Sequence, residues 1–245
     1  MKLILSLIGL IIISGNAFGQ TVRRLKDEDD TREIYYVLKS DKTIKEGLYV
    51  KKMIFGDTIC KGFYKNNLKD SLWKFYYYSH IRRIGNYKNG KKIGIWTTYH
   101  ENGDVETEYD YDNNRLLLHK LFSPEDETWR VITGKDTIVT LLRDPPINLN
   151  GEYDYGEILQ RNFNNRRYTK DFIREAKGKV IASFTIDTIG KVINYKIKKG
   201  INSKVDAEVL RVIKLFDTEW LPAVEKKKPI AVEYELQVIF AGKPE

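Results

Sequence analysis

A fixed spacing of 23 residues recurs in the first half of the chain. Gly62, Tyr64, Lys65, Asn66, Trp73 and Tyr76 recur 23 positions later as Gly85, Tyr87, Lys88, Asn89, Trp96 and Tyr99. A weaker copy precedes them at Gly47 and Tyr49, and another follows at Tyr111, Asn113 and Asn114. Such a period, with glycine, aromatic and turn residues in phase, predicts a repeat architecture whose units are buried only by their neighbours.

Turn residues divide each repeat into two short strands. Asn89-Gly90 and Asn102-Gly103 are typical of tight β-hairpin turns, because asparagine and glycine tolerate a positive φ. Each unit is therefore predicted to be an antiparallel hairpin. Aromatic residues in phase within such hairpins are more often core than ligand site, so we expect Trp73 and Trp96 to be buried.

The repeat that begins at Gly85, GNYKNGKKIGIWTTYHENGD, resembles a MORN repeat. The resemblance extends over residues 47–115, and only the unit at Gly85 is complete. In the unit before it, Asn67 and Ser71 replace two glycines of the pattern. MORN-like sheets in bacterial proteins serve largely as platforms for other molecules, and the resemblance implies such a role here.

A second pattern, of two strands, a helix and a last strand, occupies residues 178–240. Its core positions follow from alternation in the strands and helical spacing between them. They are Val180, Ala182, Phe184 and Ile186, then Ile193, Tyr195 and Ile197, then Val205, Val209, Ile213 and Phe216 in the helix, and finally Val232, Tyr234, Leu236, Val238 and Phe240. Thr188-Ile189-Gly190 is predicted to turn between the first two strands, and Ser203 with Asp206 to form a capping box.

This segment resembles the C-terminal domain of TonB, the periplasmic energy transducer of Gram-negative bacteria. Its landmarks lie at residues 178–192 (GKVIASFTIDTIGKV), 205–213 (VDAEVLRVI), 220–223 (WLPA), 228–230 (KPI) and 238–240 (VIF). The resemblance extends to about residues 147–242, with a leading helix expected over Tyr155 to Asn164. One departure is Thr169, where the family usually carries proline after the tyrosine.

The TonB resemblance implies binding by β-strand addition, in which a partner segment pairs with an open sheet edge. The last strand is predicted to be that edge because it is long, regular and terminal. Its partner-binding residues would be Val232, Glu233, Tyr234, Glu235, Leu236, Gln237, Val238 and Phe240. The fold class expected is thus two modules: an all-β MORN-like antiparallel hairpin repeat, then an α+β unit in β-β-α-β order with a leading helix.

The N-terminus carries the pattern of an export signal. Lys2 precedes an apolar run from Leu3 to Ile13, and Ala17 and Gly19 fit a cleavage site before Gln20. The run is shorter than the roughly 20 residues of a spanning helix. The expected division is a signal peptide over residues 1–19, a repeat domain over 20–143 and a TonB-like domain over 144–245. Asp144-Pro145-Pro146 marks the second boundary, and an uncleaved inner-membrane anchor is the alternative to a cleaved signal.

Composition limits the chemistry. The net charge is +8, yet lysines and acids are interleaved, and an exported chain is a poor partner for nucleic acid. The single cysteine, Cys60, cannot form an internal disulfide and is expected to be a small buried residue. The three histidines, His80, His100 and His119, lie in no metal-binding or catalytic motif. We therefore predict no enzyme activity, no cofactor and no metal.

Two functions follow. The first is a periplasmic TonB-like protein that binds an outer-membrane TonB-dependent transporter by strand addition, linked to transport across that membrane. The second is an envelope scaffold or adaptor that uses its repeats as a platform without energy transduction, with a homodimer or another envelope protein as partner. In both, membrane association is expected only through partners. The chain has only six prolines, and the repeats stand where a transducing TonB has its long proline-rich spacer, so we do not expect this chain alone to transmit force.

Overall fold

The computed structural model describes residues 21–28, 31–54, 56–120, 128–134, 136–151, 159, 162–163, 168–215 and 219–240. The predicted signal peptide and most of the predicted leading helix lie outside these residues. Within them, the chain forms two large sheets and two helices. No helix in this part of the chain is both long and apolar enough to cross a bilayer.

The first sheet has nine antiparallel strands, each paired with the next one along the chain. These are β1 (Thr21–Glu28), β2 (Thr31–Leu38), β3 (Lys45–Met53), β4 (Thr58–Lys65), β5 (Leu68–Tyr77), β6 (His80–Lys88), β7 (Lys91–Tyr99), β8 (Val105–Asp110) and β9 (Arg115–His119). The predicted hairpins are confirmed, with one 23-residue unit for each pair of strands. That the repeats are MORN repeats stays a prediction.

Aromatic side chains fill one face of the nine-stranded sheet. Trp73 is 1% exposed and Trp96 is 5% exposed, so the prediction that both are core residues is confirmed. Edge-to-face contacts join them to tyrosines of the neighbouring strands, with ring centroids 5.3 Å apart for Tyr64 and Trp73 and 5.0 Å apart for Tyr87 and Trp96. Each such contact stabilises the stack by about 1 kcal/mol beyond the burial of its area. Cys60 is buried in the same cluster, as predicted.

The repeated glycines exist because a tryptophan ring lies directly over each of them. A Cβ added to Gly62 would lie 2.2 Å from Cδ2 of Trp73, and one added to Gly85 would lie 2.2 Å from Cδ2 of Trp96. The asparagines of the turns recur for a different reason. Asn66, Asn67 and Asn89 all adopt a positive φ, which asparagine tolerates better than most residues. The 23-residue period therefore has two causes: the glycines leave space for the tryptophan rings, and the asparagines allow the tight turns.

The second sheet has five strands in the order β11-β10-β18-β13-β14. Its strands are β10 (Thr128–Thr133), β11 (Asp136–Leu141), β13 (Gly178–Ile186), β14 (Val192–Lys199) and β18 (Val232–Phe240). Two short pairings, β12 (Ile147–Asn148) with β15 (Trp220–Leu221) and β16 (Ala223–Glu225) with β17 (Lys228–Ile230), complete the strands. Strands β10 and β11 belong to the second sheet although they precede the expected boundary at residue 143. The division of the chain into domains stays a prediction.

Two helices accompany the second sheet, α1 (Lys170–Glu175) and α2 (Ser203–Ile213). Thr169, the residue that departs from the TonB pattern, caps α1 by accepting a hydrogen bond from the amide of Phe172. The N-cap of α2 lies one residue before the predicted Ser203, and Asp206 accepts from the amide of Ile201 instead of completing a capping box. Asn202 is the N-cap of α2 and accepts from the amides of Lys204 and Val205, because its amide oxygen reaches both donors.

The core of the second module lies between α2 and one face of the sheet. Val205, Val209 and Ile213 are fully buried against β13, as predicted, while Phe216 lies outside the described residues. In β14 the expected inward position of Ile193 is taken by Val192. The cause is a register shift at Asn194, whose φ is 56°.

Candidate functional site

The last strand, β18, is an edge strand over only part of its length, because its first residues are paired on both sides. It pairs with β13 from Val232 to Phe240, and on its other side β10 pairs with Val232 and Glu233. The prediction of an edge is therefore wrong for these two residues. The sequence pattern missed this because β10 comes from a hairpin about 100 residues earlier in the chain.

Beyond the contact with β10, the described residues leave one edge of β18 open. We define it as the backbone of Leu236–Phe240 on the side that faces away from β13, where no described residue pairs. The described part of β10 begins at Thr128, opposite Glu235 in the continued register. At about 3.4 Å per residue, the length of the open edge corresponds to a partner strand of about five residues.

Backbone alternation decides which groups the open edge offers. The amide of Ile132 donates to the carbonyl of Ala231, 3.0 Å away, so Ala231 directs its backbone groups toward β10. The pairing with β13 shows no register shift, so every second residue of β18 repeats that direction. Gln237 and Ile239 therefore present one N–H and one C=O each at the open edge. These four groups match the hydrogen bonds of an added strand.

The other residues of the open edge hold β18 in place. Leu236 and Val238 are buried in the core, and Phe240 makes an edge-to-face contact with Phe163, with ring centroids 5.2 Å apart. In contrast, the side chain of Ile239 is on the opposite face and is 71% exposed. A rigid strand with an open backbone edge and one exposed apolar side chain is a fitting platform for a partner strand.

An ion-pair network crosses the face of the same sheet that is opposite the apolar core, and its centre is buried. Glu233 accepts from Lys196 at 2.7 Å, from Lys198 at 2.6 Å and from the hydroxyl of Ser183 at 3.0 Å. Glu235, next along the face, pairs with Arg130 of β10 at 3.4 Å. The network therefore connects β14, β13, β18 and β10, and it fixes the strand that carries the open edge.

These contacts lower the pKa of Glu233 to about 2, because the hydrogen bonds from Lys196, Lys198 and Ser183 outweigh the raising effect of burial. The unfolded value is higher, about 4.3. Ionised Glu233 thus stabilises the fold above the unfolded pKa, and that contribution is lost as the pH falls toward 2.

Replacing Glu233 with glutamine is expected to lower the free energy of unfolding by about 1–2 kcal/mol near neutral pH. This loss of stability is smaller than the full pKa shift of Glu233 would imply, because the side chain of Lys196 is 57% exposed and water screens its charge. Near pH 2 the difference from the unmodified chain should largely vanish. Urea unfolding at both pH values measures the difference in the free energy of unfolding. The control is Glu225→Gln, which removes the same charge at an exposed position. Equal losses at both pH values would contradict the assignment.

Two further strands bound the sheet within the described part of the chain, β11 on one side and β14 on the other. Strand β11 exposes three apolar side chains, Ile138, Val139 and Leu141, each more than half exposed. Strand β14 carries lysines instead. The sequence analysis identified neither strand as a candidate edge.

The structure brings all the predicted partner-binding residues onto one continuous strand but divides them into three groups. Val232 and Glu233 are paired on both sides, and Tyr234 and Glu235 lie opposite the end of β10. Leu236, Gln237, Val238 and Phe240 lie along the open edge, together with Ile239, which the sequence analysis had left out. Arg130, Lys196 and Lys198 were also missed, because ion pairs across strands require the register to be known.

The fold and this edge define a class: a small α+β module whose last strand, among the described residues, has no pairing partner along part of one side. Residues 170–241 match the family described as Gram-negative bacterial TonB protein C-terminal, which extends from α1 through β18. Domains of this family are non-enzymatic protein-interaction domains that bind outer-membrane transporters, and they imply a location in the cell envelope. A comparison with curated proteins found no match.

Proposed function

We propose that this chain is an exported, periplasmic TonB-like protein that binds a segment of an outer-membrane TonB-dependent transporter by β-strand addition along the open edge of β18. The observation that carries the proposal is the pair of backbone donors and acceptors at Gln237 and Ile239, next to a strand, β10, that already pairs antiparallel in the same line. Binding would link the chain to transport across the outer membrane.

Strand addition lets one sheet edge bind many extended segments and still prefer some of them. The main-chain hydrogen bonds supply affinity for any extended segment, and the side chains beside the edge supply the preference. Here Ile239 offers an apolar contact on the solvent face, and Lys179, which donates to Gln237 at 3.2 Å, offers a positive charge nearby. We expect a partner segment with an apolar residue opposite Ile239 and an acidic residue within reach of Lys179.

A second candidate is an envelope scaffold or adaptor, and the edge strand β11 favours it. An exposed apolar edge is a template for pairing with another chain. In this case Ile138, Val139 and Leu141 would pair with a second copy or another envelope protein, and no energy would be transduced.

The experiment that separates the two candidates is recovery of the full chain, tagged at its C-terminus, from solubilised envelopes. The proposed function predicts that outer-membrane transporters are recovered and that a synthetic peptide of the transporter segment displaces them. Recovery of only a second copy of the chain, with no displacement by the peptide, would contradict the proposal and support the scaffold.

A further inference from the structure

Two hairpin turns lie side by side at one end of the second module. One connects β13 to β14 over residues 187–191, and the other connects β16 to β17 at Lys226-Lys227. They are neighbours because Gly190 of the first turn lies against Pro222, the residue before β16, and an added Cβ would be 3.7 Å from its ring. Strand β16 has three residues, so the second turn lies about 10 Å beyond Pro222. We call the two turns together the turn surface.

The first turn holds an apolar side chain out in solvent. Ile189 is 78% exposed, the largest exposed fraction among the large apolar side chains of the described residues. Its position is fixed, because the carboxylate of Asp187 accepts from the amide of Ile189 at 2.9 Å and from that of Lys191 at 2.8 Å. One exposed apolar residue is common in proteins and indicates little alone. Its surroundings therefore decide what it can bind.

The second turn carries lysines in a backbone conformation that favours other residues. Lys226 and Lys227 have φ angles of 49° and 62°. A two-residue hairpin turn with both φ angles positive is formed most readily by asparagine and glycine, as at Asn89-Gly90 between β6 and β7. The two lysines therefore cost the turn some stability. Strained positions of this kind cluster at functional sites.

Positive charge is in excess on the turn surface. Residues 187–191 and 223–230 hold four lysines and two carboxylates: Lys191, Lys226, Lys227 and Lys228 against Asp187 and Glu225. All four lysines are exposed, and none of their ammonium groups forms an ion pair, a hydrogen bond or a ring contact with another described residue. The Asp187 carboxylate is already used by the amides of its own turn. The four ammonium groups are therefore available to an anionic partner.

An apolar side chain on one rigid turn, beside exposed lysines on both turns, fits the surface of an anionic bilayer. The apolar side chain enters the headgroup region, and the lysine stems extend so that their ammonium groups reach the lipid phosphates. A folded protein partner would need a cavity for Ile189 and carboxylates placed around it. A bilayer needs neither, because its headgroups rearrange around whatever enters them.

We propose that the turn surface contacts an anionic lipid bilayer directly. This contact goes beyond the expectation from the sequence that the chain meets the membrane only through partners. Ile186, the last residue of β13 before the first turn, pairs with Val232 at the start of β18, so the open edge at Leu236–Phe240 lies further along the strand. A partner strand can therefore bind while the turn surface rests on the bilayer. Either proposal can fail while the other stands.

The test is sedimentation of the full chain with vesicles of phosphatidylglycerol, compared with vesicles of phosphatidylcholine. The unmodified chain should bind the first more tightly, and raised salt should weaken that binding. Lys226→Asn/Lys227→Gly is expected to weaken binding about tenfold or more, because two ammonium groups are lost. The same variant should unfold at an equal or higher urea concentration, since asparagine and glycine relieve the strained turn. Ile189→Ala should weaken binding about threefold or more and leave the urea midpoint nearly unchanged.

Two matched variants complete the experiment. Lys226→Arg/Lys227→Arg keeps both charges and should bind within about twofold of the unmodified chain. Lys65→Gln/Lys88→Gln removes two exposed lysines of the first sheet and should also stay within about twofold. Because all variants share the rest of the chain, differences between them report on the turn surface alone. Equal binding to both kinds of vesicle, no binding to either, or equal losses for the Lys226/Lys227 and Lys65/Lys88 variants would overturn the proposal. An unchanged affinity of Ile189→Ala would also overturn it, since the apolar contact would then be absent.

Discussion

Replacing Gly190 with alanine is expected to lower the free energy of unfolding by about 3 kcal/mol or more. Gly190 turns the chain between β13 and β14 with a φ of 81°, where an L-residue is strained. A Cβ at this position would lie 1.9 Å from the carbonyl oxygen of Trp220. That oxygen belongs to the backbone of β15, which is itself paired with β12, so it cannot move without breaking a second contact.

The matched control for Gly190 is its neighbour in the same turn. Ile189 is 78% exposed, so Ile189→Ala should change stability by about 0.5 kcal/mol or less. Urea unfolding of the full chain compares the two variants. If Gly190→Ala lowers the free energy of unfolding by less than about 1 kcal/mol, the turn and β15 separate easily, and the contact between this turn and the Trp220 carbonyl does not restrict the residue at position 190.

Replacing Gln237 with proline is expected to weaken binding of the transporter segment about tenfold or more, because it removes a backbone donor from the open edge. The amide of Gln237 faces away from β13, so its loss leaves the pairing of β13 with β18 in place. Proline is tolerated at positions of this kind, where the N–H faces outward. Affinity is measured by calorimetry with the synthetic segment used for displacement.

Gln237→Ala separates the backbone from the side chain in this experiment. It removes the hydrogen bond from Lys179 but keeps the backbone N–H, so affinity should stay within about twofold of the unmodified chain. Both variants should unfold in urea close to the unmodified chain. If Gln237→Pro binds as tightly as Gln237→Ala, the partner does not pair at Gln237 and another edge, β11 or β14, must hold it.

Local patterns in the sequence were enough to predict the elements themselves. Alternation and helical spacing predicted β13, β18 and α2, because each has one buried face and a matching period. The 23-residue period predicted the hairpins, since the glycine that admits a tryptophan ring and the asparagine that turns the chain recur together. Residues whose role depends on near neighbours, such as Trp73, were placed correctly.

Relations between distant segments could not be predicted in this way. The pairing of β10 with β18 joins residues 130 and 233, and nothing in either strand alone specifies the other. The same holds for Lys92 and Glu219, which meet only because the two modules pack together. The cap of α2 was displaced by one residue for a different reason: Asn202 and Ser203 are both good caps, and only the geometry chooses between them.

The most direct test of the account is amide hydrogen exchange of the full chain, with and without the transporter segment. The account predicts that exchange slows at the amides of Gln237 and Ile239 when the segment binds, and that amides along β11 and β14 keep their rates. Protection of β11 or β14 in place of Gln237 and Ile239, in a sample that demonstrably binds the segment, would contradict it.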